Sequence, residues 1–343
     1  MSARAWSAFA AVSTLWGIPY LFIKIAVDDG VPPVFLAWAR VTLGAAVLLA
    51  LSHHAGVLAP AWRRLRWIAV YAIVEVVIPF PLIGAGEQHV ASSLAAILIA
   101  AVPMIVAVMA IRFEPAERAT GTRAVGLVVG FAGVIALVGL DVSGSTAALL
   151  GALAILLAAV GYAAGPMILN RKLTALDPRA LMAVALSVAS VVLLPAAIAR
   201  PPAAMPPGEA LLAIIVLGLL CTAAAFVFFG ALIAEVGPGR ATVITYVSPV
   251  VAVALGVTVL GERPGVGAVA GLLLILAGSW LSTDGRLPPG LGAVLTRRRT
   301  SLRAPVVADR GSDAADRVSS RSLSMMSPHR VVNRATPARR HSG

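Results

Sequence analysis

The 343-residue chain is 59% hydrophobic and only 12% charged, with a mean hydropathy of +0.94. Soluble domains carry about 25% charged residues, so a water-soluble globule is excluded and a bilayer, itself an apolar solvent, is indicated. The net charge of +12 does not point to nucleic acid, because twelve of the 27 basic residues follow residue 284 and most others sit in short gaps between apolar runs; that placement suits membrane orientation, not a nucleic-acid groove.

Ten apolar runs follow in chain order: 6–26, 33–52, 67–86, 91–111, 123–140, 146–169, 180–199, 210–233, 240–260 and 265–283. Each approaches the roughly 20 residues that cross a hydrocarbon layer as a helix. The runs are continuous and do not alternate, which favours helices over barrel strands. The predicted fold is therefore an all-α integral membrane protein of ten transmembrane helices. Arg4 and the first run could be mistaken for a signal peptide, but Trp16, Gly17, Pro19 and the length of the run indicate an uncleaved first helix. Pro32-Pro33 opens the second helix, Trp62 and Trp67 flank the third at headgroup level, and Pro201-Pro202 and Pro206-Pro207 punctuate the gap after the seventh.

Pro103 and Pro249 fall inside the fourth and ninth helices. Each removes a backbone hydrogen bond and frees the carbonyl four residues earlier, at Ile99 and Thr245. Such a position is a hinge or solute-site lining, or a packing kink. The single cysteine, Cys221, lies in an apolar run and reads as a small buried hydrophobe. The tail, 285–343, is rich in Arg, Ser and Pro and is expected to be disordered, either simply solvated or in contact with anionic lipid.

With the N-terminus in the cytoplasm, eleven Lys and Arg residues fall on the cytoplasmic side and two, Arg200 and Arg263, on the other, leaving aside the tail and the in-helix Lys24 and Arg40. The positive-inside rule then places both termini in the cytoplasm.

Two stretches read alike. Glu117, Gly126 and Gly133 map onto Glu262, Gly271 and Gly278 with one offset of 145 residues, and Pro103 and Pro249 precede them. An odd number of helices per half obliges the second half to enter the membrane inverted, an architecture recurrent in secondary transporters. The expected units are 1–140, an inverted counterpart at 146–284, and the tail at 285–343. Gly126-x-x-x-Gly130, Gly161-x-x-x-Gly165 and Gly267-x-x-x-Gly271 permit close helix contact.

Trp16-Gly17 with Lys24 in the first helix, Arg40 in the second, and the Pro…Glu…Gly…Gly pattern closing each half resemble the EamA family of the drug/metabolite transporter superfamily. The run 221–262 carries the resemblance most densely, and it extends over about residues 6–283. The resemblance implies ten helices in two inverted five-helix repeats. It also implies secondary transport, often export of amino acids, metabolites or toxic compounds. Glu75 in the third helix departs from the family pattern.

Charges in hydrocarbon cost about 2.5–3.5 kcal/mol each on insertion scales and are functional candidates by default. Arg40 and Glu75 reach the midplane of neighbouring antiparallel helices and are expected close enough to pair. Two readings stand: a solute or proton site with Glu75 as the titrating group, or a permanent salt bridge. Lys24, near the outer end of the first helix, either snorkels to headgroups or binds an anionic group of the solute. Trp16, Tyr20, Tyr162, Thr245, Tyr246 and Ser248 offer aromatic, hydroxyl or carbonyl contacts at similar levels, or else serve packing and the interface belt. Glu87 and His89 read as an exposed outer loop, or else an outer gate.

No Walker A lysine, H-E-x-x-H or G-x-S-x-G is present, and the histidines form no cluster. The expectation is a non-enzyme without metal or cofactor in a bacterial cytoplasmic membrane. Its partners would be the lipid bilayer, a small-molecule substrate and a coupling proton or ion. The alternatives are an intramembrane enzyme, which lacks a nucleophile–base constellation, and a non-transporting membrane partner.

Overall fold

The structure, a computed structural model, describes residues 2–113, 121–237 and 244–282. All regular elements among them are helical. Eight helices are long and apolar enough to cross a membrane: α1 (Arg4–Asp28), α2 (Pro33–His54), α3 (Leu65–Glu87), α4 (Ser92–Met109), α5 (Thr122–Val142), α6 (Thr146–Lys172), α7 (Pro178–Ala199) and α8 (Gly208–Val236). Two shorter apolar helices follow, α9 (Ile244–Val259) and α10 (Val266–Ser282). The ten expected runs thus all form helices, eight of them of spanning length. The start of the ninth run, the tail, Glu117 and Arg240 lie outside the described residues.

Sequence chemistry sets the helix ends. Pro33 occupies the first turn of α2, where its missing N–H has no intrahelical partner to lose. Ser145 caps α6 by accepting from the Ala148 N–H at 3.3 Å, and Asp177 caps α7 by accepting from the Arg179 N–H at 2.8 Å. Gly237, at φ 82°, closes α8 in a conformation that side chains with a Cβ rarely adopt.

Several helices are interrupted. α1 breaks at Ile18, before Pro19. α4 turns at Ala100 and Ala101, and Pro103 sits in the first turn of the helix that resumes at Val102. This corrects the expectation of a proline inside helix four: the break precedes Pro103, at a position where proline is tolerated. Pro249, in contrast, lies inside the unbroken α9. Three π-helical segments interrupt α3 at Ile73–Val77, α5 at Val138–Val142 and α8 at Val216–Ala224. Such segments are rare and are frequent at functional sites. Each of these three holds a polar residue that matters below: Glu75, Asp141 and Thr222.

The outer surface is apolar, with Val128 and Ile135 of α5 each 71% exposed and Val191 of α7 70% exposed. Lipid is as apolar as these side chains, so helix association must come from close packing rather than from the hydrophobic effect. The α5–α10 pair shows how. A Cβ on Gly133 would lie 3.0 Å from the Gly271 carbonyl oxygen, one on Gly271 3.0 Å from that of Gly133, and one on Gly278 2.6 Å from that of Gly126. The two helices run antiparallel in backbone contact that only glycine permits. Under the 145-residue offset, the contact Gly133–Gly271 exchanges into Gly278–Gly126, which is also made.

Candidate functional site

Arg40 lies on α2, 8% exposed, where α2 meets α8. The helices approach closely because Gly44 faces Thr222 and Gly218 faces the Arg40 carbonyl oxygen, 3.1 Å from a Cβ placed there. Arg40 Nε donates to Thr222 Oγ1 at 3.2 Å, and the guanidinium carbon stands 4.1 Å from the centroid of the Phe80 ring on α3. The Thr222 hydroxyl spends its own proton on the Leu217 carbonyl at 2.8 Å, within the π segment. The guanidinium is thus held by one nitrogen and one aromatic face. Its Nη nitrogens have no hydrogen-bond partner among the described residues. Tyr20, Tyr162, Glu87 and Cys221 lie within electrostatic reach of it, without bonding it.

Glu75 does not pair with Arg40. Among the described residues the two form no ion pair, and Glu75 Oε2 is enclosed without a hydrogen-bond partner. The carboxylate is instead seated against Gly165 of α6, where any Cβ would overlap it, while Gly161 receives the Val74 carbonyl. Helix depth places both residues at one level, but the π segment turns Glu75 onto the α6 face. Tyr71 and Tyr162 stand within its electrostatic reach.

Lys24 is bonded near the end of α1. Its Nζ donates to Asp28 Oδ1 and to the Glu87 carbonyl, both at 2.9 Å, so it fastens α1 to the end of α3. Glu87 itself corrects the expectation of an exposed loop, since it is 0% exposed and both carboxylate oxygens lack a partner. Its neighbour Gly86 explains this. A Cβ there would lie 2.8 Å from the Gly151 carbonyl of α6, so α6 presses on the end of α3 and closes over it.

The other candidates form a second group. Trp16 packs on Phe229 and Phe226 of α8, with ring centroids 4.7 Å and 5.7 Å away. Tyr246 packs in the same cluster and donates its hydroxyl to the Ser279 carbonyl at 3.2 Å. The Ser248 carbonyl lies 2.8 Å from a Cβ placed on Gly17, and Thr245 is half-buried on α9. The structure therefore brings Tyr20, Arg40 and Tyr162 together, sets Glu75 beside Tyr162, and keeps Trp16, Thr245, Tyr246 and Ser248 on the α1–α8–α9 side.

Two carboxylates that sequence reasoning left without a role cap helices. Glu262 accepts from the Ser92 and Ser93 N–H groups at 2.7 and 3.0 Å, at the start of α4. Asp141 accepts from Gly267 and Ala268 at 3.1 and 2.6 Å, at the start of α10. Both border a cavity of about 360 Å³ that His89 and Arg263 also line. Their acceptors are spent on helix N-termini, which favour negative charge, so they fasten the bundle. Thr222 and Phe80 were also missed. A hydroxyl in an apolar run carries no signal in one sequence, although Pro79 and Pro81 beside Glu75 mark an irregular α3.

An apolar helical bundle that encloses unpartnered ionisable groups between its helices is the setting in which membrane transport sites are built. Residues 4–139 and 149–283 match the EamA-like transporter family, and the chain belongs to that family. It is 29% identical over 266 residues to the uncharacterized inner membrane transporter YedA of Escherichia coli K12, covering 74% of this chain and 82% of that protein. It is also 29% identical over 284 residues to a probable terminal-alkyne amino-acid exporter of Streptantibioticus cattleyicolor, covering 82% and 93%. One crystal structure shares the fold at a TM-score of 0.59 and 21% identity, over 87% of this chain and 99% of that one.

Proposed function

We propose that the chain is a secondary transporter that exports small carboxylate-bearing metabolites, amino acids among them, across a bacterial inner membrane. Ten spanning helices form two inverted repeats, 1–140 and 146–284, with both termini cytoplasmic, and one repeat rocks against the other in alternating access. The antiparallel exchange of glycine contacts between α5 and α10 supports the inverted arrangement.

One observation carries the substrate class: a buried guanidinium held through Nε, with its Nη nitrogens unpartnered among the described residues and Tyr20 and Tyr162 within electrostatic reach. A guanidinium fork matches a carboxylate in two parallel hydrogen bonds. The amino-acid exporter among the relatives supports the same reading. Glu75, enclosed beside Tyr162, is the coupling group that takes up and releases a proton during the cycle. Lys24 is assigned to helix fastening instead of solute binding.

The test is extracellular metabolite profiling of cells expressing wild type, Glu75→Gln or no transporter, at matched membrane levels. A carboxylate-bearing solute enriched outside with wild type and lost with Glu75→Gln upholds both assignments. Enrichment unchanged in Glu75→Gln removes Glu75 from the mechanism. Indistinguishable profiles in all three cultures reject export of metabolites.

A further inference from the structure

The end of α3 holds a second carboxyl group that the solute site does not use. Glu87 is 0% exposed, and neither Oε1 nor Oε2 has a hydrogen-bond partner. The lysine beside it is already committed. Lys24 Nζ bonds the Glu87 backbone carbonyl and the Asp28 carboxylate, both at 2.9 Å, and forms no ion pair with the Glu87 side chain.

Among the described residues, few ionisable groups come within electrostatic reach of Glu87. From α1 come Lys24, Asp28 and Tyr20, from α2 Arg40, and from the α9–α10 connection Glu262. Glu262 is spent on the N-terminus of α4, and α6 contributes Gly151 and Ile155 at the closed end. No cation in this set bonds the carboxyl. An ionised carboxylate enclosed without a partner is among the costliest arrangements in a protein, and a bound proton removes the charge.

We infer that Glu87 is a proton-binding site at the end of α3, separate from the solute site at Arg40 and from Glu75. A proton added to Oε1 or Oε2 makes the carboxyl neutral while this end of the bundle is closed. Opening at the Lys24–Glu87 contact hydrates the group and lets the proton leave, restoring one negative charge. By the positive-inside count this is the outer end, so Glu87 exchanges protons with the outside while Glu75 serves the midplane. Both carboxyls lie on one helix; Tyr162 is within electrostatic reach of Glu75, and Tyr20 of Glu87. The coupling use of this proton rests on the transport reading; the proton site itself does not.

Two measurements on the full chain test it. Infrared difference spectroscopy of the purified protein follows the protonated-carboxyl C=O stretch as the pH is raised. Wild type and Glu75→Gln should both lose a carboxyl band that Glu87→Gln lacks from the start, with Glu87→Asp retaining a shifted band. The same titrating bands in Glu87→Gln as in wild type would overturn the assignment. In proteoliposomes loaded with a labelled L-amino-acid mixture, external acid should accelerate wild-type efflux. Glu87→Gln should lose that acceleration yet keep exchange at equal pH. Acceleration that persists in Glu87→Gln also overturns it. A Glu87 band in a protein that moves no amino acid upholds the proton site and rejects the solute reading, so the two failures are distinguishable.

Discussion

Arg40 and Thr222 join α2 to α8 through a single hydrogen bond, Nε to Oγ1 at 3.2 Å, made inside a π segment. The bond holds the guanidinium through Nε and leaves its other nitrogens without a hydrogen-bond partner among the described residues, the arrangement on which the proposed solute site rests. Thr222→Val keeps the shape and removes the acceptor. A hydrogen bond to a charged group contributes about 1.5–3 kcal/mol, so apparent affinity for a carboxylate solute should fall about tenfold to a hundredfold. Thr222→Ser, which keeps the hydroxyl, should stay near wild type in the same competition assay.

Gly133 and Gly271 let two backbones touch. Gly133→Val or Gly271→Leu inserts side-chain atoms where a Cβ alone would lie 3.0 Å from a carbonyl oxygen. Overpacking of this kind costs about 1–3 kcal/mol or more. Thermal unfolding in detergent should show that loss for either variant. Gly139→Ala, on the same helix with open space around it, should change stability by less than about 0.5 kcal/mol.

The carboxylate of Glu262 satisfies two N–H groups at the start of α4. Glu262→Ala leaves both without that acceptor, a capping loss of about 0.5–2 kcal/mol. Hydrogen exchange at Ser92 and Ser93 should accelerate, with exchange at Gly267 and Ala268 unaffected. Asp141→Ala should produce the reverse pattern. Acceleration at both helix starts in either variant would mean that the bundle loosens as a whole.

Asp177 lies between α6 and α7, and the hydrogen bonds from the Arg179 guanidinium hold its carboxyl below the usual carboxylate range. A folded value depressed in this way adds stability that is present above the unfolded value of about 3.9. The contribution is lost as pH falls through the folded value. The pair is partly exposed to solvent, so Asp177→Asn should cost no more than about 1 kcal/mol at neutral pH. Chemical denaturation should show that difference closing in acid; a constant difference at every pH would assign the effect to shape instead of charge.

The helices and the repeat were legible in the sequence because both depend on spacing along the chain. Continuous apolar runs of bilayer length favour helices, and the seven-residue interval from Gly126 to Gly133 and from Gly271 to Gly278 marks the repeat; that these glycines meet each other across α5 and α10 is seen only in the structure. Azimuth was not legible. Depth along α2 and α3 brings Arg40 and Glu75 to one level, but one π segment rotates Glu75 toward Gly165 and another presents Thr222 to Arg40. Glu87 stands where the apolar run ends, so polarity alone reads it as a loop. Its burial follows from Gly86 fitting against Gly151, a pairing between distant residues that hydropathy does not record.

The most direct measurement is efflux of a labelled L-amino-acid mixture from proteoliposomes holding purified wild type, Arg40→Gln or no protein. Wild type should release at least one amino acid faster than protein-free vesicles, and Arg40→Gln should bring that rate down to theirs. Release by Arg40→Gln equal to wild type would contradict a solute site built on Arg40, and no release by wild type would contradict amino-acid transport itself.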